Sequence, residues 1–347
     1  MFNIKSRAPL RIGISGGGTD IEFFSKKSAG CVINGTINLY SSCVIKLTNK
    51  KYHSFTSLNN NQNVRIFKDS DMNLKHDSQL NLIIGVYKYF VKNFSIKISK
   101  KIDIQTYLDV PGGSGLGSSS AIIVSIIEGL KKTFNVNIDK YETSELAISI
   151  ERGYLKIPGG KQDQYASVFG GINYIDFEKD GKVIVNQLNL DGNIIHELEN
   201  NLILYYTGIN RKKHEVIEQQ IQNIKYLNKK TLDSLQKIKS ECIEMKKILL
   251  TNELNLIPKR FIDSWAYKKK MSENVSDFTA ENILNRSLKN GALAGKWSGA
   301  GGGGFMIFYT NFYNKKKLVD YLSNFEGGKI YNFSFINKGS ESWISKE

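Results

Sequence analysis

The alternation of apolar and polar positions predicts a chain that changes repeatedly between strand and helix. Leu10 to Ile14 alternates and predicts a strand; Gly16, Gly17 and Gly18 break it, and IEFFSKK after Asp20 is a short helical candidate. TINLYSSCVIKL, within Gly30 to Thr48, alternates as a strand or hairpin does. Lys50 to Asp77 is polar and Asn-rich, and short strands with loose connections are expected there. Leu80, Ile83, Ile84, Tyr87 and Phe90 recur at helical spacing, and Ile102 to Val110 reads as a strand leading to Pro111. The run AIIVSIIEGL from Ala121 predicts a buried helix, and Leu146, Ala147, Ile150 and Tyr154 mark one face of another over Tyr141–Tyr154. A helical turn in DQYASVFGG and a strand at INYIDF follow.

The polar, turn-rich stretch from Asp180 to Gly192 is the expected domain boundary, dividing the chain into 1–190 and 191–347. NLILYYTG opens the second part as a strand. A long helical region follows from about His214 to Leu250, with Val216, Ile217, Ile221 and Ile224 on one stripe. Thr279 to Lys289 predicts a further helix, which Asn290 and Gly291 stop. FMIFYT is a buried-strand candidate, and a helix over Lys316–Phe325 and a strand over Lys329–Ile336 complete an α+β pattern without internal repeats.

Composition narrows the function. A chain of 347 residues that is 41% hydrophobic can build two ordinary domains and is not disordered. The net charge of +15 raises nucleic acid or a membrane surface as partners. The lysines are scattered, however, and the runs at Lys268–Lys270 and Lys315–Lys317 are short, which favours a solvated surface that helps attract polyanionic substrates. The expectation is therefore a small-molecule partner, with no nucleic acid and no membrane. Cys31, Cys43 and Cys242 are odd in number and form no CxxC. Together with a start, MFNIKSRAPLRIG, that lacks an apolar leader, they point to a reducing cytoplasm. His53, His76, His196 and His214 lie too far apart for a local metal motif.

The chemistry concentrates in PGGSGLGSSSA, Pro111 to Ala121. Its glycines open backbone conformations closed to other residues and let a ligand approach the main chain. Ser118, Ser119 and Ser120 offer a helix cap and hydroxyls. The unpaired N–H groups and positive dipole end of the helix behind them suit a phosphate. No Lys-Ser or Lys-Thr follows the last glycine, so this is not the common P-loop, and neither the glycine spacing nor the following acidic residue of a dinucleotide fold is present. A Gly/Ser turn before a core helix is the plain alternative. Two more glycine-rich segments lie far off, SGGGTD at Ser15–Asp20 and SGAGGGGF at Ser298–Phe305.

The three segments, as RAPLRIGISGGGTD, PGGSGLGSSSA and KWSGAGGGGF, resemble in order and separation those of the GHMP kinase superfamily over nearly the whole chain. GGGTD and GGKQDQYA at Gly159–Ala166 look most like its sugar-1-kinase branch, in particular members acting on heptose 7-phosphate. The resemblance implies a two-domain α+β fold, with an N-terminal half like ribosomal protein S5 domain 2 and a ferredoxin-like C-terminal half. It implies ATP and Mg²⁺ as cofactors. The ATP phosphates would lie along Pro111, Gly112, Gly113, Ser114, Gly115, Leu116, Gly117, Ser118 and Ser119, and Ser119 and Glu151 would hold the metal. Asp163 would be the catalytic carboxylate, with Arg11 beside the reacting groups. Gly17, Gly18, Thr19 and Asp20 would meet the sugar, Gly301 and Gly302 would close over it, and Lys161 and Arg211 would be candidates for its distal phosphate. Each has a plain alternative: Asp20 or Asp163 as a helix cap, Glu151 as an exposed partner of Arg152 or Lys156, Arg211 as a solvated neighbour of Lys212 and Lys213. The expected activity is phosphorylation of the anomeric hydroxyl of a heptose 7-phosphate. Alternatives are a kinase for an unphosphorylated sugar such as fucose or galactose, and a non-catalytic nucleotide- or sugar-binding regulator on the same fold.

Overall fold

The computed structural model describes residues 2–72, 78–209, 213–272, 275–276, 278–325 and 327–346. The first half comprises β1 (Phe2–Ser15), α1 (Glu22–Ser28), β2 (Gly30–Thr48), β3 (His53–Ser57), β4 (Gln62–Ile66), α2 (Ser78–Asn93), β5 (Lys101–Leu108), α3 (Ser118–Phe134), α4 (Lys140–Ile148), α5 (Gln162–Phe169), β6 (Ile172–Phe177) and β7 (Val183–Gln187). The second half comprises α6 (Gly192–Asn201), β8 (Leu202–Tyr206), α7 (Lys213–Lys225), α8 (Lys229–Thr251), α9 (Ile257–Lys269), α10 (Phe278–Lys289), β9 (Ala294–Trp297), β10 (Phe305–Tyr309), α11 (Phe312–Ser323), β11 (Lys329–Tyr331) and β12 (Glu341–Lys346).

Two sheets organise this α+β chain. The first has eight strands in the order β12-β1-β2-β5-β3-β4, with β6 on β2 and β7 on β6. The 19-residue strand β2 is its axis: one edge pairs with β1, and the other takes β6 at Gly30–Gly35 and β5 at Ser41–Thr48. The second sheet runs β11-β8-β10-β9. Helix α3 is apolar nearly all round because it packs against β1 and β2 and is covered by α2 and α5; Ile123, Val124, Ile126, Ile127 and Leu130 are fully buried. Each such side chain contributes roughly 1.5–3 kcal/mol by burial, which seats the glycine loop ahead of the helix on a rigid base.

Several elements differ from the sequence expectation. The serines do not cap α3: its N-cap is Gly117, left-handed at φ 75°, with no side-chain cap, and the hydroxyls of Ser119 and Ser120 turn instead to Glu151. The helix expected over Tyr141–Tyr154 is α4, continued by a π-helical turn at Ser149–Tyr154. The long helical region divides into α7 and α8, because Leu227 takes a positive φ of 57° and the Asn228 side chain accepts from Thr231 N to start a new helix. The expected last strand is only Lys329–Tyr331, and the chain then crosses back, Phe335 bridging Ile37, to lay β12 antiparallel on β1. Arg7 fastens that return through Glu341, with Nε and Nη2 each 2.7 Å from Oε1. The strands before residue 190 all lie in the first sheet and the later ones in the second, except β12.

No helix among the described residues is long and apolar enough to cross a membrane, and all three cysteines are free and buried.

Candidate active site

The glycine loop, β1, α5 and the third glycine segment meet at a cleft of about 810 Å³, within the range of small-molecule sites. Pro111, Gly112, Gly113, Gly115, Gly117, Ser118 and Ser119 line it, whereas Ser114 and Leu116 are buried behind them and brace the loop. The bracing comes from the second half. Phe305 N donates to Ser114 O (3.0 Å) and Ser298 Oγ to Gly115 O (3.2 Å). Gly299, at φ 81°, lies so close that a Cβ there would sit 2.8 Å from Gly115 O. Two glycine segments far apart in the chain therefore pack main chain on main chain, and a side chain at 299 would push the loop out of place.

Arg11 extends from β1 into the angle of this loop. Its Nε and Nη2 donate to Asp163 Oδ1 at 2.7 and 2.6 Å, and its Nη1 donates to Gly115 O at 2.8 Å. One 4% exposed guanidinium thus fixes both the loop and the carboxylate. Asp163 is the second residue of α5, inside the helix and not its cap. Its carboxyl rests on the last glycine of the loop: a Cβ at Gly117 would lie 3.2 Å from Asp163 Cγ. Asp163 lines the cleft, and among the described residues only its Oδ1 takes a hydrogen bond.

Asp20 is 2% exposed and is not a cap either, since the N-cap of α1 is Ile21 without a side-chain bond. Its Oδ1 accepts from Gly18 N (3.0 Å) and its Oδ2 from Gln162 N (3.1 Å), which ties the first glycine segment to the start of α5. Gly17, Gly18 and Asp20 line the cleft. Thr19 does not; its hydroxyl lies within hydrogen-bond distance of Cys31 O (2.7 Å) and Gly16 O (2.9 Å), accepts from Cys31 N and holds the segment from behind. Gly301 and Gly302 also face away, against Val275, with Gly302 N donating to Val275 O at 3.0 Å; Gly299 and Ala300 reach the cleft in their stead. Lys161 lies off the cleft wall with its ammonium 3.7 Å from Glu22 Oε1, and Arg211 lies outside the described residues.

Glu151 is fully buried, not an exposed partner of its neighbours. It stands in the π-helical turn, a distortion that re-aims side chains and recurs at functional sites. Ser119 Oγ donates to its Oε1 (2.6 Å), Ser120 Oγ to its Oε2 (2.7 Å) and Gln164 Nε2 to its Oε2, while Arg152 Nη1 lies 3.3 Å from Oε1. Ser119 is on the cleft wall with this carboxylate directly behind it. Among the described residues no three His, Cys, Asp or Glu side chains cluster as a metal cage. A hydroxyl with one carboxylate nonetheless suits Mg²⁺, which keeps waters and takes much of its shell from substrate phosphates.

Sequence reasoning passed over four side chains here. Arg152 lines the cleft and donates to Gly160 O and Ile157 O, fixing the loop that leads to α5. Gln164 helps hold Glu151. Lys268, read as part of a solvated run, is buried and donates to Gly17 O at 3.0 Å; Lys296 donates to Gly13 O at 2.7 Å. Burial pushes Lys268 down to about 8, partly opposed by the Asp20 carboxylate. Burial, reinforced by the charges of Lys268 and Arg11, pushes Lys296 down to about 7. A signal for Lys268 existed: it follows Phe261 and Trp265 at i+7 and i+3 on the buried face of α9.

Comparison with known proteins adds the following. Residues 81–171 match the profile of the GHMP kinases N terminal domain. A D-glycero-alpha-D-manno-heptose 7-phosphate kinase from Campylobacter jejuni is 37% identical over 343 residues, covering 99% of both chains. The crystal structure of a D-glycero-D-manno-heptose 1-phosphate kinase from Bacteroides thetaiotaomicron superposes with a TM-score of 0.83 at 33% identity, covering 98% of each chain. Methanococcus jannaschii mevalonate kinase shares the fold, with a TM-score of 0.74 at 19% identity over 96% of this chain and 98% of its own.

Proposed function

The chain belongs to the GHMP kinase family, and on that footing we propose that it transfers the γ-phosphoryl group of ATP to the anomeric hydroxyl of D-glycero-D-manno-heptose 7-phosphate, giving the 1,7-bisphosphate. The observation that carries the reading is the seating of Asp163: one carboxylate oxygen is locked by Arg11, and its carboxyl group rests against the last glycine of the phosphate loop. A hydroxyl bound to Asp163 Oδ2 would thus stand next to the end of a triphosphate laid along Gly112–Ser119. Two relatives of more than 30% identity act, by name, on a heptose that already carries a phosphate.

Phosphoryl transfer asks the protein chiefly for positioning and charge neutralisation. Main-chain N–H groups at the start of α3 would receive the triphosphate without a P-loop lysine. Arg11 is the cation nearest the transfer point and supplies positive charge there while keeping Asp163 in place. Asp163 would orient the acceptor hydroxyl and take its proton as the bond to phosphorus forms, a contribution of roughly 10²–10⁴ in rate. Ser119 would hold Mg²⁺ from the cleft wall and Glu151 from behind it, exchanging their mutual hydrogen bond for the metal. The ion would neutralise charge on the phosphoryl oxygens when bound. Asp20 is placed to accept from sugar hydroxyls. The free, buried thiols accord with a cytoplasmic setting.

An ADP-release assay across heptose 7-phosphate, heptose, fucose and galactose tests the reading, with phosphorus NMR to place the new phosphate. Heptose 7-phosphate is expected to give the highest kcat/KM and a product phosphorylated at C1. Faster turnover of fucose or galactose would replace the substrate, and absence of ADP release on every sugar would replace the activity.

A further inference from the structure

Beside the main cleft lies a second cavity of about 40 Å³. At roughly 10–15 Å³ for each water, it has room for about three, comparable to the free oxygens of a phosphoryl group. Arg11, Gly17, Gln162, Lys268 and Gly299 line both spaces, so the small cavity adjoins the cleft at its sugar end, next to the Arg11–Asp163 pair. Lys296, Trp297, Ser264 and Trp265 complete the part of its wall that bears on its chemistry.

That wall is rich in donors and poor in acceptors. Lys268 and Lys296 each place one hydrogen bond on a main-chain oxygen, Gly17 O and Gly13 O, leaving two further N–H groups apiece. Among the described residues neither lysine forms an ion pair within 4 Å. The Ser264 hydroxyl and the indole N–H groups of Trp265 and Trp297 are buried and have no hydrogen-bond partner among the described residues. The nearby carboxylates are committed elsewhere: Asp163 to Arg11, and Asp20 to Gly18 N and Gln162 N. A buried Lys268 ammonium and a part-buried Lys296 ammonium, the latter facing the Phe261 ring at 4.8 Å and neither with a carboxylate within 4 Å among the described residues, are costly to keep charged. An anion with several acceptor oxygens would give both ammonium groups a counter-charge.

We propose that this cavity seats the distal phosphate of the sugar substrate, with Lys268 and Lys296 as its counter-charges and Trp265, Trp297 and Ser264 as further donors. The proposal rests on the heptose 7-phosphate reading and names what would set its specificity. The anomeric hydroxyl then stands at Asp163 and the distal phosphate in the adjoining cavity, with Arg11 and Gly17 lining both spaces. The depressed lysines support the arrangement. Lys268 is faced by Asp20 and Lys296, and Lys296 by Lys268, Arg11 and the Cys242 thiol; a phosphate dianion would raise both lysines, so binding near pH 8 takes up protons.

The test compares kcat/KM for heptose 7-phosphate with that for heptose, varying ATP in parallel. The wild-type ratio is expected to exceed about 100, more than an apolar pocket alone achieves; a site built around a polar group can reach roughly 10⁴–10⁵. Lys268→Met should lower the ratio at least tenfold, through KM for the phosphorylated sugar, with KM for ATP within twofold of wild type. Trp265→Phe, which removes the indole N–H and keeps only a six-membered aromatic ring, should lower it two- to fivefold, and it carries the comparison if Lys268→Met does not fold. Calorimetry at pH 8 in buffers of different ionisation enthalpy should show proton uptake with heptose 7-phosphate, reduced in Lys268→Met. A high wild-type ratio that both variants retain would overturn the site while leaving the substrate reading intact. A wild-type ratio near one would overturn the substrate reading instead; binding of inorganic phosphate to wild type and Lys268→Met then decides the cavity, with loss in the variant keeping an anion site there and equal binding ending it.

Discussion

The two ends of the cleft use opposite materials. At the phosphate-loop end the wall is main chain, shaped by Gly113, Gly115 and Gly117 at positive φ and clasped by Gly299. At the end proposed for the sugar the wall is side chain: Asp20 and Lys268 line the cleft, and Lys296 and two tryptophans from α9 and β9 line the small cavity beside it. A main-chain cradle presents fixed dipoles and no titrating group, so it suits a ligand common to many kinases and is indifferent to pH. Buried charged side chains can select one substrate over its cousins, at the cost of desolvation and of sensitivity to protonation. The difference teaches where specificity is expected to reside in this chain and where it is not.

The largest effect is expected where the ends meet. Asp163→Asn should leave ATP binding nearly intact and lower kcat by two orders of magnitude or more, about 2.7 kcal/mol of transition-state stabilisation; single-turnover kinetics that show near-full rates would reduce Asp163 to a partner of Arg11. Next comes Gly299→Ala, which adds a Cβ 2.8 Å from Gly115 O at a φ of 81°. Strain of roughly 1–3 kcal/mol should appear as a raised KM for ATP with a much smaller change for the sugar. Equal changes in both would erase the distinction between the ends. Glu151→Gln should raise the Mg²⁺ concentration for half-maximal rate about fivefold or more, and an unchanged metal titration would leave Glu151 as a structural anchor for Ser119 and Ser120.

The pH response sharpens the contrast. Lys296 and Lys268, lowered to about 7 and about 8, lose their protons as pH rises through those values. KM for the sugar phosphate should climb severalfold between pH 7 and 9 while KM for ATP stays level; parallel profiles would show that the lysines do not serve one end. The smallest effect is on stability. An unfolded lysine titrates near 10.4, so between about pH 7 and 10 the unfolded chain binds more protons than the folded one, and these groups make the ligand-free protein more stable as pH rises. At pH 6 both are charged in either state and their full penalty applies. Lys296→Met should therefore raise Tm by a few degrees at pH 6, and the gain should shrink by pH 9. A constant gain would assign it to packing.

Much of the phosphate-loop end was legible in the residues themselves. Positive-φ main chain next to a buried helix demands glycine, and glycine clusters are visible in any sequence; hence Pro111–Ser119 and its α3 could be placed from local pattern alone. Asp163, Arg11, Asp20 and Glu151 were singled out by family resemblance, and the fold brings the first two into contact. The serines misled, because a Ser-rich start reads as a cap until the buried carboxylate that claims the hydroxyls is known. Gly301, Gly302 and Thr19 misled for a related reason: membership of a motif does not say which way a residue faces.

The sequence by itself determined the alternation of elements, the sheet-forming and helix-forming stretches, and the places where the backbone must bend as only glycine readily can, because those depend on neighbours a few residues away. Only the tertiary structure decided that β12 returns to β1 across some 340 residues, that Gly299 clasps Gly115, and that two of the chain's many lysines, Lys268 buried and Lys296 partly so, turn onto the main chain of β1 and the first glycine segment. A lysine's side chain is the same on a solvated face and in a cavity. What distinguishes Lys268 and Lys296 is the water removed from around them by α9, β9 and the first glycine segment, and that removal is a property of the packed molecule.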